Sequence, residues 1–231
     1  MAKVNTKSSG SQEKLLDLVE VQQKTKSFFD HNQSKISVVG GGILLLLAAF
    51  LAYQFLYKMP RQKRAVEQMM VAQQQFEKDS FKIALTNPGG GYPGFLDIMD
   101  TYSGTKAANL ARYYSGLCYL HLGQYDAAIE YLKDYSANDA VTAITRLGSI
   151  GDAYSEKKDF KTAADYYAQA ISAGNNELLT PYYIKKLGQL DLFQKDNAKA
   201  LEQFKSLKEK FPLSPEATDI DKYIAKAGGT E

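Results

Sequence analysis

Small residues recur along the C-terminal half of the chain with a nearly constant spacing. Gly116, Gly151 and Gly188 lie 35 and 37 residues apart. Each is followed by alanine twelve residues later and by a bulky residue sixteen residues later, which gives Ala128 and Leu132, Ala163 and Tyr167, and Ala200 and Phe204. A fixed period of this length predicts an array of helix–turn–helix repeats. Because antiparallel helices approach closely only where side chains are small, we expect each glycine and alanine to form a crossing point that the bulky residues surround.

The repeat pattern resembles the tetratricopeptide repeat. The third unit has the family's leucine–glycine pair, alanine, phenylalanine and proline at Leu187, Gly188, Ala200, Phe204 and Pro212. The chain has no tryptophan, so that family position holds other residues, and Asp191 replaces the tyrosine that the first two units carry. The resemblance implies an all-α chain with three tetratricopeptide repeats over residues 105–212 in an α-solenoid. The alternative is an unrelated helical bundle in which the period is a coincidence.

The helices of this region have clear sequence boundaries. We expect pairs at 105–122 and 125–135, 139–157 and 160–173, and 177–195 and 197–211. Residues 61–104 repeat the small-residue offsets in a weaker form and predict a degenerate first repeat with a glycine-rich insert, in which Pro88 ends the second helix early. Residues 213–231 predict a capping helix and tail, with Ser214 as N-cap and Pro215 in the first turn.

A long uncharged segment lies near the N-terminus. Residues 36–57 are 22 residues without a charge, enough at about 1.5 Å per residue to span a hydrocarbon core of about 30 Å. The sequence therefore predicts a single N-terminal transmembrane helix, with a new helix from Gln62 after Pro60. A cleaved signal peptide is the alternative, but 35 residues precede the segment and no clear cleavage site follows it.

Residues 1–35 form a predicted tail. Residues 1–11 are polar and are expected to be disordered, whereas residues 12–32 have helical periodicity and predict either a loosely helical tail or an amphipathic helix on the membrane surface. Three basic residues precede the apolar segment within 20 residues and four follow it. By the positive-inside rule this one-charge difference favours a cytoplasmic repeat domain.

The remaining composition favours neither a nucleic-acid-binding protein nor an enzyme. The formal net charge is only +2, without the concentrated basic surface that nucleic acid requires. The single cysteine, Cys118, cannot form an internal disulfide or a metal cluster, and we expect a buried thiol. His31 and His121 are 90 residues apart, and the sequence has no catalytic triad, metal-ligand cluster or phosphate loop. We therefore expect a non-enzymatic protein without a cofactor or metal.

In tetratricopeptide arrays the first helix of each pair lines a concave groove, and the resemblance assigns candidate binding residues to this chain. They are Tyr113, Leu117 and His121 in the first repeat, Asp152 and Glu156 in the second, and Tyr182, Lys185, Gln189 and Phe193 in the third. Aromatic side chains with few charges suit extended or unfolded polypeptide, so we expect Tyr113, Tyr182 and Phe193 to be anchors. The two acidic residues would favour a positively charged ligand segment. The alternative is that these side chains pack between helices.

The complete layout resembles the YfgM-like membrane-anchored tetratricopeptide proteins, ancillary subunits of the SecYEG translocon, in a version typical of Bacteroidetes-type bacteria. The resemblance covers about residues 24–212. It rests on a tail ending in residues 26–32, one membrane helix, a helix beginning at residues 64–65, the repeats and the run 94–110. It implies an inner-membrane protein with a cytoplasmic N-terminus and a periplasmic repeat domain, against the one-charge difference. The implied partners are SecYEG, a periplasmic chaperone or prolyl isomerase, and emerging secretory chains. The alternative is a scaffold or regulator of envelope assembly that binds no client.

Overall fold

The computed structural model of the protein describes the backbone of residues 9–229 and the side chains of residues 22, 24–26 and 31–229. The chain divides into two units at Met59–Pro60. Most of the segment expected to be disordered lies outside the described residues. So do the apolar side chains on which the amphipathic interpretation of the tail depends, Leu15, Leu18, Val19, Phe28 and Phe29.

The first unit contains α1 (Ser9–Ala52) and a π-helical turn (Tyr53–Lys58). Because α1 begins at Ser9, the last residues of the segment expected to be disordered are helical. The apolar side chains of the uncharged segment are exposed, with Leu45 and Leu46 each at 74%. Within the described residues, one helical stretch is long and apolar enough to cross a membrane, and residues 36–57 lie in it.

The π-helical turn lies at the end of the uncharged segment. The Met59 amide donates to the Gln54 carbonyl, five residues back. The helix that follows, α2 (Met59–Glu77), begins before the expected start at Gln62 and includes Pro60. A proline is accommodated in the first turn of a helix, where its missing N–H would have no intrahelical partner.

The second unit continues with short helices α3 (Phe81–Thr86) and α4 (Phe95–Thr101), followed by three helix pairs. These pairs are α5 (Lys106–His121) with α6 (Tyr125–Asp134), α7 (Ala140–Glu156) with α8 (Phe160–Ser172), and α9 (Leu179–Phe193) with α10 (Asn197–Lys210). Each of these six helices begins and ends within two residues of its predicted boundary. A 3₁₀ turn (Pro215–Ala217) and α11 (Ile220–Lys226) complete the unit.

Each packing glycine lies against the bulky residue sixteen positions later. A Cβ on Gly116 would lie 2.5 Å from Leu132 Cγ, and one on Gly188 would lie 2.5 Å from Phe204 Cε1. A Cβ on Gly151 would lie 2.7 Å from the Tyr167 ring and 3.3 Å from the Ala163 carbonyl oxygen. The partners Ala128, Ala163 and Ala200 are fully buried. The space at each crossing is thus filled mainly by the bulky side chain, and less by the alanine than the sequence suggested.

The turn inside each helix pair has the same geometry. Seven residues after each packing glycine, Gly123, Lys158 and Lys195 have φ of 72°, 63° and 64°. The amide of the next residue in each turn donates to a carbonyl five residues back, at 2.8 to 2.9 Å. Asp79, seven residues after Ala72, has φ 56° and the same hydrogen bond follows it. This shared turn supports the interpretation of residues 61–104 as a degenerate repeat, which remains a proposal.

The glycine-rich insert is a loop between α3 and α4. The Gln75 side chain donates to the Pro88 carbonyl at 3.1 Å. A Cβ on Gly94 would lie 2.3 Å from the Leu85 carbonyl oxygen, so only glycine allows the returning chain to approach α3 so closely. After the loop, Phe95 and Ile98 of α4 lie in the core, where both are fully buried.

The C-terminal end differs from its prediction in detail. The Ser214 hydroxyl donates to the Phe211 carbonyl at 2.9 Å and makes no N-cap hydrogen bond. Instead of the expected single helix, the chain forms a 3₁₀ turn and then α11. Ile220 and Ile224 of α11 are buried against α10. Pro212 is exposed in the turn after α10. It therefore lies outside the packing between helices that its place in the repeat pattern suggested.

Candidate protein-binding groove

The first helices of the three pairs line an open cleft of about 690 Å³. Each contributes side chains from its last turns, and the second helices α6 and α8 contribute their first residues. Its lining includes Leu120, His121, Tyr125, Asp152, Ser155, Glu156, Phe160, Lys186, Gln189 and Phe193. The turns inside the pairs, each with one residue of positive φ, direct each second helix back along the first. The start of the second helix therefore lies beside the end of the first.

Aromatic rings, some of them exposed, and two less exposed leucines form the apolar part of the cleft. Phe193 at the end of α9 is 69% exposed, and its ring meets the Phe160 ring edge-on with centroids 5.1 Å apart. At the opposite end, the His121 ring stacks on Phe81 at 4.3 Å. Aromatic rings offer a large contact area with few rotatable bonds to immobilise. The cleft therefore has contact surfaces at both ends that a bound chain could cover.

A polar network forms the floor of the cleft. The Asp152 carboxylate accepts hydrogen bonds from the Tyr167 hydroxyl at 2.7 Å and from Lys186 Nζ at 2.6 Å. Burial lowers the pKa of Lys186, but the charge and hydrogen bond of Asp152, together with Tyr182, more than offset it, so that the pKa is raised overall. Burial raises the pKa of Tyr167, and Asp152 adds to the rise. Asp152 is thus already neutralised by Lys186, and the expectation that it would attract a positively charged ligand lacks support from this geometry.

Glu156 is in a different situation. Its side chain is exposed and accepts one hydrogen bond, from the Tyr125 hydroxyl at 3.3 Å. Among the described side chains, no lysine, arginine or histidine forms an ion pair with it. The cleft therefore presents one uncompensated carboxylate between its two apolar ends.

Five of the nine candidate residues lie together in this cleft: His121, Asp152, Glu156, Gln189 and Phe193. The other four lie elsewhere. Tyr113 donates to Thr145 Oγ1 at 2.9 Å and its ring lies 5.1 Å from that of Tyr135; burial raises its pKa. Leu117 and Tyr113 pack against one cluster of buried apolar residues from α6 and α7. These two side chains pack between helices, which was the alternative interpretation.

The two remaining candidates lie toward the C-terminal end of the array. Lys185 forms an ion pair with Asp219 and lies 5.2 Å from the centre of the Tyr223 ring. Tyr182 is 41% exposed, and with Lys185 it lines a smaller depression beside Pro215 and Glu216. An anchor role for Tyr182 would place a ligand beyond the main cleft.

Sequence reasoning missed five contributors to the cleft, of which Tyr167 and Leu190 are largely buried. Tyr125 and Phe160 were assigned only to the repeat period, although the same positions face the groove. Lys186 gave no signal, because its role depends on Asp152 of the preceding repeat. Gly148 also depends on a neighbouring repeat: a Cβ there would lie 1.9 Å from Tyr183 Cζ, so the Tyr183 ring fills this part of α7's surface.

The described residues contain no group of three or more His, Cys, Asp or Glu side chains placed to hold a metal ion. Cys118 is buried, and burial raises its pKa to about 12. A thiol with this pKa is a poor nucleophile at neutral pH because little thiolate forms. Neither observation points to a catalytic site among these residues.

Comparison with protein families identifies the repeats. Tetratricopeptide-repeat models match residues 110–139, 145–174 and 186–214. The described residues are helical and without strands, and the three helix pairs match tetratricopeptide repeats, modules of protein–protein interaction that are typically non-catalytic. No curated protein sequence matches the chain.

Proposed function

We propose that these tetratricopeptide repeats form a membrane-anchored, non-enzymatic module that binds extended polypeptide in its concave cleft. The observation that carries the proposal is the cleft itself, where exposed Phe193 and the His121–Phe81 stack flank a polar floor. Repeat arrays use such concave surfaces to bind partners. The uncharged helix over residues 36–57 supplies the anchor.

The layout supports a more specific role beside the Sec translocon. In this role the N-terminus is cytoplasmic, the repeats are periplasmic, and emerging secretory chains pass from SecYEG through the cleft to a periplasmic chaperone or prolyl isomerase. The support is the resemblance in layout to YfgM-like proteins. The one-charge difference across the membrane segment opposes this orientation and is too small to outweigh it.

Site-specific photo-crosslinking in native membranes tests the proposal. A photo-reactive residue in place of Phe193 should capture secretory polypeptides and a translocon subunit, whereas one in place of exposed Glu209 on α10 should not. Equal capture at both positions would remove the groove as the binding surface. Capture of envelope-assembly proteins alone would favour the alternative.

Orientation has an independent test. Protease added to spheroplasts should digest the repeats as completely as a periplasmic control protein. Survival of the repeats beside a digested control would place them in the cytoplasm and reject the Sec-linked role, without affecting the proposal that the cleft binds polypeptide.

A scaffold or regulator of envelope assembly without client binding is the second candidate. It is favoured by the internal contacts of Tyr113, Lys185 and Asp152, which leave fewer groove side chains available than the resemblance implied.

A further inference from the structure

Three equivalent positions on neighbouring first helices form a row across the cleft. His121, Glu156 and Phe193 each lie five residues after the packing glycine of their repeat. All three side chains are exposed and line the same cleft. The row therefore places one carboxylate between two aromatic rings, with one repeat step on either side.

The step between these positions follows from direct packing of the first helices. The Tyr113 hydroxyl of α5 donates a hydrogen bond to Thr145 of α7, and Lys186 of α9 donates one to Asp152 of α7. Helices in direct contact have axes about 8–10 Å apart. The backbones at these equivalent positions are consequently also about 8–10 Å apart from one first helix to the next.

That spacing discriminates between two extended conformations of a bound chain. In a β-strand, side chains on one face recur every second residue, at about 6.6 Å, or every fourth, at about 13 Å. In polyproline II, side chains on one face recur every third residue, at about 9.3 Å. Only the polyproline II spacing matches the separation of the first helices.

We propose, as a refinement that rests on the proposed function, that the cleft binds a polyproline II segment with lysine or arginine at its centre and an apolar residue three positions away on each side. The basic residue faces Glu156, which has no ion-pair partner among the described residues. The apolar residues cover the rings of His121 and Phe193. Gln189, exposed in the same cleft, offers an amide donor and acceptor to a polyproline II backbone, which makes no internal hydrogen bonds.

The test uses the full chain in nanodiscs of zwitterionic lipid, so that basic peptides are not drawn to the bilayer. Fluorescence anisotropy would compare three labelled peptides: leucine at positions −3 and +3 with a central arginine, the same peptide with a central glutamate, and an isomer with its leucines at −2 and +2. The first should bind at least three times more tightly than either of the others. The preference for a central arginine over a central glutamate should disappear in about 1 M salt, where the Debye length is only about 3 Å.

Variants locate the charge recognition. Glu156→Gln should weaken binding of the arginine peptide roughly two- to fivefold, as expected for a partly exposed ion pair, and Glu156→Lys should reverse the preference between arginine and glutamate. Glu209→Gln, an exposed matched control on α10, should change neither.

The outcomes separate this refinement from the proposed function. If peptides bind and Phe193→Ala weakens all of them, but central charge and leucine spacing make no difference, the refinement is wrong and the proposed function stands. If no peptide binds, the refinement is wrong, and capture by a photo-reactive residue at position 193 decides separately whether the proposed function stands. If light scattering shows a dimer that Phe193→Ala dissociates, a second copy of the chain occupies the cleft instead.

Discussion

The helix crossings and the concave cleft use the same first helices in opposite ways. At the crossings, Gly188 and its neighbours contact fully buried partners such as Phe204. One residue further round the helix, Gln189 is exposed in the cleft. We therefore expect the crossings to contribute most to stability, whereas the exposed side chains of the cleft should contribute little to it. Adjacent residues on one helix can therefore be substituted separately to test folding and binding.

The largest effect is expected at this pair of neighbours. Gly188→Leu should destabilise the protein by about 3 kcal/mol or more, because even a Cβ would overlap the Phe204 ring and a leucine overpacks the crossing. Gln189→Leu is the matched control and should leave the melting temperature nearly unchanged. Thermal unfolding of the full chain in detergent, followed by circular dichroism, measures both. Equal destabilisation by the two variants would mean that the two surfaces are not distinct.

The third crossing region differs from the first two in one half-buried pair of residues. Tyr119 stacks on Tyr131 at 5.2 Å and Tyr154 on Tyr166 at 5.5 Å, whereas the equivalent positions in the third repeat are Asp191 and Gln203. Burial raises the pKa of Asp191 to about 6, with Asp196 adding to the rise and Lys199 opposing it. The third repeat therefore contains a carboxyl that is destabilising when ionised.

This carboxyl predicts a pH dependence of stability. Because the folded-state pKa lies above the unfolded value of about 3.9, the folded state binds more protons, and stability falls as pH rises from about 4 through about 6. Asp191→Asn should stabilise the protein by about 2 kcal/mol at pH 8 and by little at pH 4. Melting curves across this range, with the exposed Asp165→Asn variant as control, would measure it. A constant difference between Asp191→Asn and the parent at all pH values would exclude this explanation.

The polar floor of the cleft connects the buried helix packing to the exposed binding surface. Asp152→Ala removes the partner of both Lys186 and Tyr167, and we expect a loss of about 1–2 kcal/mol, moderated by the partial exposure of the pair. Asp152→Asn keeps an acceptor for Tyr167 and should lose less. Denaturant unfolding would compare them. If Asp152→Ala is as stable as the parent, the floor contributes nothing to folding and belongs to the binding surface alone.

The smallest effects are expected in the turns. Lys158 has a φ of 63°, a conformation that glycine adopts without the steric cost of a Cβ, and Lys158→Gly should stabilise by roughly 0.5–1 kcal/mol. Gly123 has a φ of 72° at the equivalent position, so Gly123→Ala should destabilise by a similar amount. Opposite signs in thermal melts would support the shared turn; equal signs would contradict it.

The sequence predicted the crossings better than the cleft, for a physical reason. Gly116 and Leu132 are partners within one repeat, so a fixed offset along the chain identifies both. Cleft contacts such as Asp152 with Lys186 join different repeats, and no offset within one repeat predicts them. For the same reason Tyr113 was expected to be an anchor, although Thr145 of the next repeat encloses it together with Tyr135, the residue that follows α6. The fold could thus be predicted nearly helix by helix, but only about half of the cleft.

Capture of secretory polypeptide by a cleft variant tests the central claim most directly. The double variant Phe160→Ala with Phe193→Ala removes the apolar ring pair, of which Phe193 is 69% exposed. The control is Leu213→Ala, an apolar side chain that is 98% exposed and does not line the cleft. We predict that crosslinked secretory chain in native membranes falls about tenfold or more for the double variant, equivalent to about 1.4 kcal/mol, with unchanged helical content and unchanged capture by the control. A folded double variant that captures secretory chains as well as the parent does would contradict the claim that the cleft is the binding surface.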